Sequence, residues 1–146
     1  MPRRFNLREA ESLLPRVKTL IEEAVALKAA CQEAESSIER FTQKVMLYGG
    51  ILVDRERALA TRQRRDSALE KLKAAVERIQ ETGCLVKDLD KGLVDFPTLF
   101  HGREVYLCWK MDEPSIAFWH GVEEGFAGRK QIDQEFLENH RGDHVA

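Results

Sequence analysis

The chain has no uninterrupted apolar run approaching the ~18 residues that a membrane-spanning helix needs, and nothing apolar follows its Met1-Pro2-Arg3-Arg4 start as a secretory leader would require. Neither a transmembrane segment nor a signal peptide is expected, and the expected compartment is the cytoplasm. Cysteine is scarce. Cys31, Cys84 and Cys108 are odd in number, far apart and form no Cys-x-x-Cys pair, a pattern that speaks against a disulfide framework or a zinc knuckle. Each reads as a small buried hydrophobe. A strong charge of either sign is missing too: residues 1–83 hold 16 Lys/Arg against 13 Asp/Glu, and residues 84–146 hold 7 against 12. So slight a basic excess does not make a nucleic-acid surface, because dedicated binders cluster several phosphate-facing cations. The acidic half suits a cation better. A phosphate-binding glycine loop is also lacking, since Gly121, Gly125 and Gly128 have no strand before and no helix after them; they mark turns.

What is present is a long helical pattern. Asn6 followed by Glu9 has the form of a capping box, with Phe5 just outside it, and predicts a helix from Leu7. Steps of three and four from Ala10 then meet Leu13, Val17, Leu20, Ala24, Leu27, Cys31, Ala34, Ile38, Phe41, Val45 and Tyr48, all apolar, a sustained heptad stripe. Pro15 falls on the outer face of the stripe, where a bend is tolerated. Tyr48-Gly49-Gly50 predicts the stop, because two glycines supply a left-handed turn and lose helix propensity together. A second helix is predicted from about Val53 to Glu81, ended by Thr82-Gly83, with Leu69, Leu72, Val76 and Ile79 on its seam.

Extended backwards, that second seam meets Arg65, Arg62, Ala58 and Arg55, so cations are expected to face the apolar stretch from Cys31 to Tyr48. At ~1.5 Å per residue such a helix is about 60 Å long, more than the rest of the chain can cover. The expectation is a homo-oligomer, a dimer, in which the distal hairpins of two chains pack together. Long arginine stems lying over the stripe are the alternative. The arginine run from Asp54 to Asp66 is diluted by acids and has no interleaved aromatic for base stacking, so it reads as a solvated helix face and nucleic acid is not an expected partner.

After Gly83 the period changes from helical to alternating. Short runs at Leu85-Val86, Leu93 to Phe100, Glu104 to Lys110 and Ile116 to His120 read as strands. His101-Gly102 reads as a tight hairpin turn and Asp112-Glu113-Pro114 as the next turn, while Phe96-Pro97 demotes its strand to an edge or bulge. Alternation puts Val105, Leu107 and Trp109 on one face and Tyr106, Cys108 and Lys110 on the other. The fold expected is α+β in one domain: a long antiparallel helical hairpin (7–82), a small antiparallel β-meander (83–132) and a tail (133–146). In that tail Asp133 to Asn139 extends as a short amphipathic helix through Ile132, Phe136 and Leu137, and the rest frays.

The polar groups between the short apolar runs are where chemistry is expected. Glu113 and His120, with one of Asp88, Asp90 or Asp95, form a candidate site for a divalent metal ion or a small anion, and Arg129 is placed to pair an acid or phosphate of a ligand. Each has a structural reading beside this one: Asp88 and Asp90 bonding turn backbones, Glu113 shaping a turn, His120 meeting a carbonyl, Arg129 bridging acids. The run Asp88-x-Asp90-x-Gly92 lacks the further ligands of a calcium loop. A Cys108–His120 nucleophile pair is disfavoured, because a cysteine inside a strand has neither access nor a feature that lowers its pKa.

The segments Val86-Lys-Asp-Leu-Asp-Lys-Gly-Leu-Val-Asp-Phe-Pro97, Leu107-Cys-Trp-Lys-Met-Asp-Glu-Pro114, Ile116-Ala-Phe-Trp-His120 and Gly125-Phe-Ala-Gly-Arg-Lys-Gln-Ile132, with the opening Phe5-Asn-Leu-Arg-Glu-Ala-Glu-Ser-Leu-Leu-Pro15, resemble the bacterial domain of unknown function 2203 family. Asp112 departs from the glycine that the resemblance leads one to expect before Glu113-Pro114. The resemblance implies the fold and a bacterial, cytosolic origin, and no established activity. The functional expectation is a self-associating interaction or ligand-binding module; the alternative is a metal-dependent enzyme, hydrolytic in kind, working through Glu113, His120 and a nearby aspartate.

Overall fold

A computed structural model of the chain describes residues 3–47 and 55–143. The described residues form helix α1 (Leu7–Leu47), helix α2 (Arg55–Glu81) and then β1 (Leu85–Asp88), β2 (Leu93–Phe100), β3 (Arg103–Lys110) and β4 (Phe118–Gly121). A 3₁₀ turn (Phe126–Gly128), β5 (Lys130–Gln131), α3 (Gln134–Asn139) and β6 (His140–Arg141) complete the order. The α+β class with two helices ahead of an antiparallel sheet agrees with the sequence reading. The Gly49-Gly50 stop and the start of the second helix at Val53 fall outside the described residues. No described helix is long and apolar enough to cross a membrane. The chain groups into two compact units, one of residues 1–21 and 77–146, the other of residues 22–76.

In the first unit the capping box forms as read. Asn6 Oδ1 accepts from the Glu9 amide at 2.7 Å, and Glu9 Oε1 accepts from the Asn6 amide at 3.1 Å, so two of the orphan donors at the α1 start are satisfied reciprocally. A third partner was not legible: His140 Nε2 accepts from the Leu7 amide at 3.0 Å, while its Nδ1 lies 3.0 Å from the Phe136 carbonyl. Phe5 packs edge-on against Phe96 of β2, ring centroids 5.4 Å apart. Helix α1 runs through Pro15, which is exposed.

The sheet runs β1-β2-β3-β4-β5, all antiparallel, and β6 adds to β2. The expected meander is its centre, β2-β3-β4. His101-Gly102 makes the β2–β3 turn with φ of 49° and 76°, as a two-residue turn that matches strand twist requires. The edge assignment of β2 is corrected: it is an inner strand, with β3 along one side and β1 and β6 sharing the other. Pro97 is tolerated because it falls between the Leu93–Asp95 stretch paired with β1 and the Leu99–Phe100 stretch paired with β6. There the Phe5 amide donates to the Pro97 carbonyl at 2.6 Å, so the missing proline N–H breaks no strand ladder. Ile116 lies outside β4 yet is buried. Asp112 needs no left-handed backbone, because His101 is the one described non-glycine residue with positive φ.

Cross-strand partners share a face, so the register sorts the sheet. Val94 and Trp109, Phe96 and Leu107, and Thr98 and Val105 are paired on one face, and Trp119 joins Leu107 there. All but Trp119 are buried, and Trp119 is partly so. Phe136 stacks on Phe100 and Trp119 of this face at 4.8 and 5.1 Å. The tail therefore does not fray over 140–143: β6 pairs with β2, the Asp143 amide donates to the Arg4 carbonyl at 3.1 Å, and the Arg4 amide donates to Asp143 Oδ2 at 2.9 Å. Within α3, capped by Asp133 through the Phe136 amide, Phe136 is the buried residue and Leu137 is exposed, which corrects the expected pairing of the two on one apolar face.

In the second unit the α1 stripe holds. Ala24, Cys31 and Ala34 are buried, and Leu27, Ile38, Phe41 and Val45 are partly covered. The seam read for α2 holds at Leu72 and Val76, which are partly covered, and at Ile79, which is buried, and is corrected at Leu69. Leu69 is 41% exposed, and the other buried positions are Thr61, Ala68 and Ala75, with Ala58, Arg65 and Leu72 partly covered. These positions recur at three and four residues, the spacing of one helix face, whereas Arg55 and Arg62 are exposed. The α2 face is thus made mostly of small residues, with Arg65 its partly covered cation, and it covers the distal stripe of α1 only in part: Ile38, Phe41 and Val45 keep some exposure.

Candidate metal centre

The other sheet face carries two adjacent cross-strand rows. One is Asp95, Cys108 and Phe118; the next is Pro97, Tyr106 and His120. The polar members of these rows lie deep: side-chain exposure is 1% for Asp95 and 4% for His120, and Cys108 is fully buried. His120 Nε2 lies 3.0 Å from Asp95 Oδ1, and its Nδ1 lies 2.8 Å from the Gly121 carbonyl oxygen. One ligand atom from each of Asp95, Cys108 and His120 falls within 4.8 Å of the others.

This geometry constrains the charge between the two side chains. A carbonyl oxygen only accepts, so Nδ1 must carry a hydrogen. If the ring is neutral, Nε2 then presents a lone pair to a carboxylate oxygen, two acceptors face to face. Either a proton or a metal ion must stand between them. Asp95 Oδ2 adds a second unmet need, because it is buried with no hydrogen-bond partner, an arrangement that costs about 1–3 kcal/mol when left so.

Cys108 is held protonated. Burial, and then the charge of Asp95, push its thiol up to about 12. Burial raises the Cys84 thiol as well, and Cys31 is buried. In the metal-free folded protein all three thiols are expected to resist a disulfide reagent at pH 8 and to react once the chain is unfolded, which a thiol count in and out of denaturant measures. The raised Cys108 value has a sign for stability: the unfolded thiol ionises first, so stability is intact below about pH 8.5 and is lost as pH climbs toward about 12.

A second constellation lies beside the first. Arg129 Nη2 donates to Glu113 Oε1 at 2.6 Å and to the Cys108 carbonyl at 3.2 Å. Its guanidinium lies 4.2 Å over the Phe118 ring and 4.5 Å over the Phe126 ring. Glu113 Oε1 also accepts from the Lys110 amide at 2.7 Å, and the Glu113 carbonyl accepts from Trp109 Nε1 at 3.0 Å. Glu113 and Arg129 thereby clamp the β3–β4 turn and the backbone of Cys108. Glu124, in the loop after β4, has its carboxyl lowered by Lys130 and by the Gly121 amide.

The sequence-derived candidates thus fall into three places. His120 meets Asp95, Glu113 meets Arg129, and Asp88 takes the Lys91 amide at 3.1 Å in the β1–β2 turn. Asp90 is exposed in the same turn. Cys108, which the sequence suggests only as a buried hydrophobe, joins His120 and Asp95; the signal for it is strand parity, since Tyr106 and Cys108 share a face to which β2 adds Asp95 and β4 adds His120.

The family described as an uncharacterized conserved protein, DUF2203, matches residues 3–132. No curated protein and no solved structure matches the chain.

Proposed function

We propose that this chain, which belongs to the DUF2203 family of uncharacterised conserved proteins, is a ligand-binding protein whose ligand is one divalent transition-metal ion held by Asp95, Cys108 and His120. The observation that carries the reading is the 3.0 Å approach of His120 Nε2 to Asp95 Oδ1 beside an unpartnered Oδ2, with a thiol alongside. A histidine that gives its other ring N–H to a backbone carbonyl, as His120 does to Gly121, is the usual support for a metal-binding imidazole. One nitrogen, one carboxylate oxygen and one sulfur make a borderline-soft donor set that suits Zn²⁺ and its neighbours rather than Mg²⁺ or Ca²⁺. Binding displaces the Cys108 proton and the proton shared by the pair.

The burial of all three donors favours an ion that ties β2, β3 and β4 together over one that meets a substrate, so the proposal is binding rather than hydrolysis. Elemental analysis of untagged protein purified without chelator is expected to find close to one zinc, iron or cobalt per chain. Asp95→Asn, Cys108→Ser and His120→Gln each are expected to lower that content sharply while far-ultraviolet circular dichroism stays unchanged. Folded wild-type protein that is metal-free, and that takes up none when Zn²⁺ is added, retires the reading.

Self-association through the distal hairpin is a second proposal, and the exposed apolar end of α1 supports it: Met46 and Leu47 are 80% and 78% exposed. Seven Lys/Arg against three Asp/Glu between residues 37 and 65 set like charges against each other in such a pairing. The dimer fraction in light scattering is therefore expected to rise with salt, which screens beyond about 8 Å at physiological strength. A monomer at low and high salt alike removes it.

A further inference from the structure

We infer that a groove between the distal parts of α1 and α2 binds a small organic phosphate carrying at least two negative charges. This inference is independent of the metal centre, because every residue that lines the groove lies between 37 and 64. The groove holds about 360 Å³, within the ~300–1,000 Å³ of small-molecule sites. Its walls carry Arg40, Lys44, Arg57, Arg62 and Arg64, and among the described residues no Asp or Glu lines it. Ile38, Phe41 and Ala58, each only partly covered, form an apolar floor.

Four of these five cations have no ion-pair partner among the described residues. None of the ion pairs between described residues involves Arg40, Lys44, Arg62 or Arg64. Instead Arg40 and Arg64 are steadied by neutral hydroxyls, Ser37 Oγ at 3.1 Å and Thr61 Oγ1 at 3.2 Å. Each guanidinium has five N–H donors and spends one in that way, so the fork left over suits phosphate oxygens, which it can meet two at a time. Cations gathered about one cavity repel each other, and an anion of two or more charges relieves that repulsion where a single carboxylate relieves less. A concave cavity with a floor fits a compact ligand, its phosphates on the cations and its organic body against Ile38 and Phe41. The small side chains of α2 explain why the cavity exists: Ala58 and Thr61 stand where larger residues would fill the space over the α1 stripe.

The test is isothermal titration calorimetry on the full chain with ATP, inorganic tripolyphosphate and adenosine, without added divalent metal. ATP is expected to bind one per chain, tripolyphosphate more weakly, and adenosine not measurably. Arg62→Glu with Arg64→Glu is expected to weaken ATP by roughly a hundredfold, on the scale of two lost charge-assisted contacts. Both positions are exposed, so the melting temperature of the variant checks that the fold is intact. Lys at both positions is expected to restore part of the affinity, since it keeps charge and loses the fork. No heat from either phosphate compound, or ATP affinity unchanged by charge reversal, overturns the site. Equal binding of ATP and tripolyphosphate overturns the role given to the apolar floor.

Discussion

Replacing His120 by alanine is expected to destabilise the metal-free protein by about 3–5 kcal/mol, the range for breaking a buried charged pair from one side. The reason is what remains. Asp95 is 1% exposed and its Oδ2 already lacks a partner, so without the imidazole its carboxylate has lost the contact to His120 Nε2 as well. It must stay charged without compensation or take up a proton. Urea unfolding of wild type and variant, each with chelator, measures the difference. A variant with leucine at both positions 95 and 120 is expected to recover most of the loss, because an apolar pair leaves no orphan, and to bind no metal. Loss of stability in the single variant and its return in the double one separate the pair's structural role from its role as ligands. A single-variant loss below about 1 kcal/mol, the scale of an ordinary surface change, contradicts the buried pair.

Phe136→Ala is expected to cost a similar amount, about 3–5 kcal/mol for a fully buried aromatic, although it lies beyond residue 132, where the family match ends. The ring stacks on Phe100 at 4.8 Å, Trp119 at 5.1 Å and His140 at 5.1 Å. His140 in turn supports the start of α1 through the Leu7 amide. The cavity left by the ring thus lies under β2 and β4 and beside a helix cap, where collapse is restricted. The melting temperature is expected to fall by at least the 4 °C that 1 kcal/mol moves in a domain of ~100 residues. Truncation after Ile132 is expected to be at least as damaging. If chains ending at Ile132 melt as wild type does, α3 and β6 are dispensable and this part of the account fails.

The elements that were legible are those whose signal is local. The capping box at Asn6 and Glu9, the α1 stripe and the His101-Gly102 turn each follow from a few neighbouring residues and a fixed spacing. The α2 seam was legible at Leu72, Val76 and Ile79 but not at Thr61, Ala68 and Ala75, which are buried although hydropathy ranks them below the exposed Leu69 beside them. Strands β5 and β6 are two residues each, too short for any alternation to show. Asp95 was one of three aspartates set beside His120 by the sequence, and only register chooses among them: Asp95 pairs with Cys108, Cys108 with Phe118, and His120 stands one row away. That choice depends on three strand offsets together. Arg129 illustrates the same limit, since its partner Glu113 is 16 residues away and only the closed β3–β4 turn brings them within 2.6 Å.

The central claim, that Asp95, Cys108 and His120 hold a metal ion, is tested most directly by titrating the metal-free protein with Co²⁺ and recording its absorption. The account expects one equivalent to bind and a sulfur-to-cobalt charge-transfer band to grow with it. That band should vanish in Cys108→Ser and persist in Cys31→Ser and Cys84→Ser. No band, or a band that Cys108→Ser leaves in place, contradicts the assignment of this cluster as a metal centre.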